Sequence, residues 1–286
     1  MTQASVGAQA PRRLCICVDD FGLSAGVNSA VFDLAERARI SATSGMVRRS
    51  GWTAGARVLR HLPTERLDVG LHLDLTRPET VDGPEPGLLG LLARTYSRTV
   101  FAAALQSDIR NQLDRFEDAM GRAPTFIDGH RHVHQLPVVR ALLVEEIARR
   151  YAASPPWIRG TAPGPSPGAG GRFKAGLIHA LGGKAMATMA AAHGIPTSRR
   201  LLGVYDFSGD ARGYEKRLGD WLAACRTGDV LMCHPSAGMV SGDPIGAARL
   251  REYAVLRAMA WPAAGDVMLV PFSQLAQHVR IGEPVA

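Results

Sequence analysis

At 286 residues the chain is long enough to bury a large core and to form a (β/α) barrel as one domain. Its 46% hydrophobic and 21% charged content exclude a disordered chain. The net charge of +7 is carried by scattered or paired basic residues such as Arg48-Arg49 and Arg199-Arg200, a pattern that excludes a nucleic-acid footprint built on a basic run.

The N-terminal residues 1–13 form a tail without the basic start and apolar stretch of a secretory leader. No apolar run approaches the ~20 residues that span a bilayer. Cys15, Cys17, Cys225 and Cys233 lie in or beside apolar segments without zinc-finger spacing, which suits a reducing, cytoplasmic setting. From residue 14 to 286 the chain reads as a single domain. Its first strand is L-C-I-C-V (14–18), followed by a helix at 28–39. Further strands are expected at 41–47, 67–73, 124–128, 157–159, 229–234 and 267–271. Helices are expected between them at 52–61, 99–120, 137–152, 174–193, 213–226 and 245–260. Residues 153–173, rich in Pro and Gly, read as a long loop, either a lid or a tolerated surface insertion. Alternating strands and helices predict parallel strands with crossover helices, and seven or eight such units favour a TIM-like (β/α) barrel over an open doubly wound sheet.

In a barrel the active site gathers at the C-terminal strand ends. The first strand delivers Asp19 and Asp20 there, with their side chains expected on opposite sides. The strand at 67–73 delivers His72, and the strand at 229–234 ends at His234. The stretch F-I-D-G-H-R-H-V-H places Asp128, His130, His132 and His134 at every second position. Taken singly, the Asp pair reads as a helix cap, and His72 and His234 as structural histidines. Taken together, the same strand-end position recurs four times. One carboxylate and two imidazoles suit a divalent metal such as zinc, iron, manganese or cobalt, and a second carboxylate suits a base for hydrolysis.

V-D-D-F-G-L-S-A-G-V-N-S-A, with S-A-T-S-G-M-V after it, G-L-H-L-D-L-T and P-T-F-I-D-G-H-R-H-V-H carry a resemblance to the YdjC-like carbohydrate deacetylase family. The resemblance covers roughly residues 14–136, with an echo in L-M-C-H-P. It implies a distorted, polysaccharide-deacetylase-like (β/α) barrel that removes an N-acetyl group from an amino sugar with one divalent metal ion, magnesium and zinc included. It also implies Asp20, His72 and His130 as metal ligands, Asp19 as general base, and His234 as the imidazolium acid for the leaving amine. Asp128 is expected to orient an imidazole, and His132 and His134 to support the ligands or face substrate. Arg159 reads chiefly as a surface salt bridge, with substrate contact as the alternative. Arg131 departs from the family pattern and would put a cation near the site. The substrate class spans free acetylated oligosaccharides, aminoglycoside-like compounds and glycolipid headgroups, and a homodimer is the default assembly. The competing expectations are a hydrolase of phosphoesters or other amides, and a barrel that binds sugar without catalysis.

Overall fold

The long first strand, β1 (Arg12–Phe21), organises the sheet. It is followed by α1 (Ala25–Glu36), whose first turn is capped by Ser24: the Ser24 Oγ accepts from the Val27 N–H at 3.2 Å. The chain then alternates through β2 (Ala42–Gly45), α2 (Trp52–Leu59), β3 (Asp68–Leu73), α3 (Gly87–Tyr96), α4 (Ala102–Met120) and β4 (Phe126–Gly129). A 3-10 segment (His130–Gln135) leads to α5 (Val139–Arg150) and β5 (Trp157–Ile158). Next come α6 (Ala169–Ile178), a π turn (His179–Gly183), α7 (Lys184–Ala192), β6 (Leu201–Leu202), α8 (Ala211–Ala224), β7 (Asp229–Cys233), α9 (Gly246–Ala258) and β8 (Val267–Leu269). The structure is a computed structural model, which describes residues 10–76, 87–166, 168–240, 242–260, 267–271 and 273–274. Most of the expected 1–13 tail lies outside the described residues, and β1 begins within it, at Arg12.

Every strand pairing is parallel, in the order β5-β4-β3-β2-β1-β7-β6. The two edges then meet: Ile158 bridges Thr197, and Pro163 bridges Leu201. The Ile158 N–H donates to the Pro196 carbonyl at 3.0 Å and the Leu201 N–H to that of Ala162 at 2.9 Å. The sheet is therefore a distorted (β/α) barrel closed by short, irregular contacts. β8 does not extend the cycle. It pairs with Arg12–Leu14, the foot of β1 that β2 leaves free, because β2 begins its register only at Cys17.

Strand alternation divides the core in two. Leu14, Ile16 and Val18 face the helices, in one cluster with Val69, Leu71 and Ile127. Cys15 and Cys17 face the barrel interior with Phe126, Trp157 and Val230. Gly70 belongs to the inner set by necessity, since a Cβ there would sit 2.6 Å from the Phe126 ring. In α4, Ile109, Leu113, Phe116 and Met120 recur at helical spacing and are fully or nearly fully buried.

Three sequence expectations change. α3 and β6 were not foreseen, β6 because two residues carry no periodicity. The helix expected at 174–193 starts earlier and breaks at the π turn, where Gly182 adopts a φ of +129°. The loop expected at 153–173 contains β5, the bridge that closes the barrel and the first turn of α6. Among its described residues it is in part a wall of the fold.

Candidate functional site

The site is assembled at the C-terminal ends of β1, β2, β3, β4 and β7. Alternation along β1 turns Cys15, Cys17 and Asp19 inward, and the next residue would ordinarily point away. The register of β1 against β2 shifts between Val18 and Phe21, however, and Asp20 takes a φ of +64°. That left-handed kink brings both carboxylates to the same side, correcting the expectation that they point apart. Such backbone at a non-glycine residue costs of order 1–3 kcal/mol and persists only where the surroundings hold it.

The surroundings here are imidazoles. Asp20 Oδ1 lies 3.2 Å from His72 Nε2 and 3.1 Å from His130 Nδ1. One ligand-type atom from each of the three residues falls within 4.8 Å of the other two. Asp20 Oδ2 faces the other way and accepts from Arg249 Nη2 at 2.6 Å. Burial alone would raise the Asp20 pKa, but hydrogen bonds from His130 and His72 and the Arg249 charge hold it well below the usual carboxylate range.

His72 is fixed from behind. Its Nδ1 lies 2.7 Å from Asp128 Oδ1, and Ser44 Oγ donates to Asp128 Oδ2 at 3.0 Å. With Nδ1–H donated to Asp128, Nε2 is the ring atom turned to Asp20 and His130: it donates to Asp20 here, and it would offer a lone pair to a metal once that proton is lost. Burial would push the His72 pKa down, but Asp128 and then Asp20 hold it well above its ordinary value.

The donor set fits a divalent metal on three counts. Two imidazole nitrogens and one carboxylate oxygen converge, Asp128 fixes the tautomer of His72, and three protein donors leave positions for water or substrate. A second cluster, Cys17, Asp19 and Asp128, is filled by a side chain. Arg159 is 1% exposed, and its Nη2 reaches Cys17 Sγ at 3.0 Å, Asp19 Oδ1 at 2.6 Å and Asp128 Oδ2 at 2.5 Å. The reading of Arg159 as a surface salt bridge is thereby corrected. Burial would raise the Asp19 pKa, yet the Arg159 charge and hydrogen bonds hold it at about 2.

His234 follows the last residue of β7. Its backbone N–H donates to Glu252 Oε2 at 2.5 Å, and its Nε2 lies 3.9 Å from Asp19 Oδ2. Its ring meets Phe207 edge-on at 5.4 Å. Burial pushes its pKa down to about 4 against the pull of Asp19 and Asp20, so it is neutral at neutral pH.

The alternating histidines do not share a strand face. β4 stops at Gly129, and Arg131 and His132 take left-handed backbone in the 3-10 segment. The spacing of two therefore has no geometric meaning beyond Asp128. His130 reaches Asp20, while His134 is fully buried with Nε2 at 3.0 Å from the Arg159 carbonyl. Burial pushes the His134 pKa down to about 4. His132 is half-buried, and burial and His134 depress its pKa well below the ordinary value. Arg131 is exposed.

Sequence reasoning missed Ser44, Arg249 and Glu252. Ser44 lies in the strand expected at 41–47, within S-A-T-S-G-M-V, where the pattern gives it no role of its own. Arg249 and Glu252 sit three apart on α9, as an ordinary charged helix face would. Nothing in the helix pattern says that this face is turned to the barrel.

Fold and site thus define a class: a distorted (β/α) barrel with an Asp-His-His donor set at its strand ends. Within that class the chain belongs to the YdjC-like protein family, whose model matches residues 13–264. It is 35% identical over 147 residues to a chitooligosaccharide deacetylase of Enterobacter sp. (strain 638), covering 49% of this chain and 57% of that protein. A chitooligosaccharide deacetylase of Serratia marcescens is also 35% identical, over 138 residues, covering 46% and 53%. The chain thus spans about half the length of the curated relatives it matches. Among solved structures, an Enterococcus faecalis V583 protein named for cellobiose-phosphate cleavage shares the fold at TM-score 0.63 and 16% identity, covering 93% of this chain and 99% of that one. A protein of Agrobacterium tumefaciens C58 shares it at TM-score 0.52 and 18% identity, covering 94% and 90%.

Proposed function

We propose that the protein is a metal-dependent carbohydrate N-deacetylase acting on an acetylated amino sugar. The observation that carries this reading is the convergence of Asp20, His72 and His130 beside Asp19 and His234, in a chain of this family. The named activity of the relatives supports the reaction class. The four free cysteines, all buried, suit a reducing compartment such as the cytoplasm.

In this reading Asp20, His72 and His130 would hold the ion, and Asp128 with Ser44 keeps His72 oriented. When bound, a divalent ion supplies Lewis-acid polarisation of the acetyl carbonyl and lowers the pKa of water. Asp19 receives the proton of the attacking water. Arg159 keeps that carboxylate ionised and fixed in direction, at the cost of basicity. His234 is neutral at rest, so the proton it gives to the departing nitrogen is one it first receives during the reaction. The 3.9 Å between Asp19 Oδ2 and His234 Nε2 makes Asp19 the nearest source of that proton. His134 acts at one remove, holding the backbone of Arg159.

Acetate release from N-acetylglucosamine oligomers, measured beside cleavage of a chromogenic phosphoester, tests the reaction class. Acetate release without phosphoester cleavage supports the proposal. The reverse result replaces it with phosphoester hydrolysis, and tight oligosaccharide binding with neither activity replaces it with a sugar-binding barrel.

A further inference from the structure

The net charge of the chain is concentrated in one segment. From Ile147 to Tyr205, 59 residues hold eight of the 33 Lys/Arg and none of the 26 Asp/Glu. The remainder is nearly neutral, with 25 basic against 26 acidic residues. Four of the eight cations are neutralised by acids outside the segment: Arg149, Arg150, Arg159 and Arg200. Arg172, Lys184 and Arg199 are exposed, and no carboxylate pairs them among the described residues.

The helices α6 and α7, joined at the π turn, occupy the middle of this segment, and α6 is apolar at positions where a surface helix is usually polar. Phe173 is 75% exposed and Leu177, one turn later, 49% exposed. Arg172 and Lys174 flank Phe173. Across the π turn, His179, Lys184 and Met189 line a groove of about 860 Å³ with Arg140. α6 reaches the site through one intermediate residue: Lys174 Nζ lies 4.5 Å from the centre of the Phe207 ring, which packs edge-on against His234.

We infer that the α6–π turn–α7 segment is a docking surface for an anionic lipid bilayer, with Phe173 and Leu177 entering the headgroup region and Arg172 and Lys184 meeting lipid phosphates. Exposed aromatic and aliphatic side chains set among cations are the pattern of an interfacial helix. A second copy of the chain is a poorer occupant, because a two-fold contact sets the cations of this segment against one another. Nucleic acid leaves Leu177 and the neighbouring alanines without a role. The inference does not depend on the reaction proposed above, since binding is read without turnover.

Co-sedimentation of the full chain with phosphatidylcholine vesicles, with and without about 30 mol% phosphatidylglycerol, tests it. The expected result is binding to the anionic vesicles alone, weakened by salt. Each cation near such a surface contributes roughly fivefold, so Arg172→Glu/Lys184→Glu is expected to weaken binding by more than tenfold. Phe173→Ser is expected to weaken it several-fold while the unfolding midpoint stays unchanged. Equal binding to neutral and anionic vesicles, or variants that bind like the wild type, overturns the inference. Self-association lost in Phe173→Ser, or oligonucleotide binding by Arg172 and Lys184, in either case without vesicle binding, also overturns it.

Discussion

Arg159 grips both carboxylate oxygens of Asp19, with Nη1 2.6 Å from Oδ2 and Nη2 2.6 Å from Oδ1, in a pocket where neither residue is more than 2% exposed. The same guanidinium reaches Asp128, which orients His72. One buried cation thus ties the proposed base to the support of a proposed metal ligand. Removing one partner of a buried pair costs about 3–5 kcal/mol, because it strands the other charge. Arg159→Met is therefore expected to lower stability by that order in urea unfolding and to abolish acetate release. Arg159→Lys, which restores the charge without the fork, should recover stability better than rate.

Asp19 also gives a signed pH dependence. Its folded pKa of about 2 lies below the ordinary value of ~3.9, so the folded state binds fewer protons than the unfolded state in that window. The stability it contributes is fully present above about pH 4 and is lost as the pH falls towards 2. Losing Arg159 leaves burial as the main influence and raises the Asp19 pKa. Acid unfolding of metal-free Arg159→Met should therefore begin at higher pH than in the wild type, as followed by circular dichroism.

Ser44 offers a milder perturbation. Its hydroxyl donates to Asp128 Oδ2 and also lies 3.1 Å from His72 Nδ1, so it acts behind that ring and not on the side facing Asp20. Outer partners of this kind typically tune metal affinity by ~10–100-fold. Ser44→Ala should weaken metal binding towards the lower end of that range, read by titration against a chelator, with the fold intact.

His234 should separate chemistry from metal binding, since its nearest contact to the proposed centre runs through Asp19 at 3.9 Å. His234→Gln is expected to keep its metal and lose roughly 10²–10⁴ in kcat, the usual scale of acid–base catalysis. Loss of metal together with rate would move His234 into the ligand set instead.

Glu252 accepts the His234 N–H and the Tyr205 hydroxyl, the latter at 2.6 Å, and burial pushes its pKa up to about 7. Between its ordinary value of ~4.3 and about 7 the folded state holds the proton more tightly, so stability falls as the pH rises through that window. Glu252→Gln cannot titrate. Its unfolding midpoint should lose this part of the pH slope, whatever its absolute shift.

Legibility in the sequence followed the physics of each element. β1, β3 and β7 announced themselves as apolar runs, and their end residues Asp19, Asp20, His72 and His234 could be named because a barrel gathers its strand ends. The short closing contacts at Pro163 and Leu201 carried no period to read. The kink at Asp20 was invisible because left-handed backbone at a non-glycine leaves no compositional mark. Arg159 looked like a surface residue since nothing local shows that W-I-R faces the barrel interior. Arg249 and Glu252 lay more than 200 residues from the aspartates that they serve, directly or through His234, and only the pairing of β7 beside β1 brings α9 to them.

The most direct test of the central claim is the metal content of purified protein, wild type beside His130→Ala, with acetate release from N-acetylglucosamine oligomers followed in the same samples. The account predicts about one divalent ion per chain in the wild type. It predicts that His130→Ala loses metal and acetate release together. A wild type that takes up no metal when supplied with zinc, magnesium, manganese and cobalt in turn, or a His130→Ala that retains both metal and rate, would contradict it.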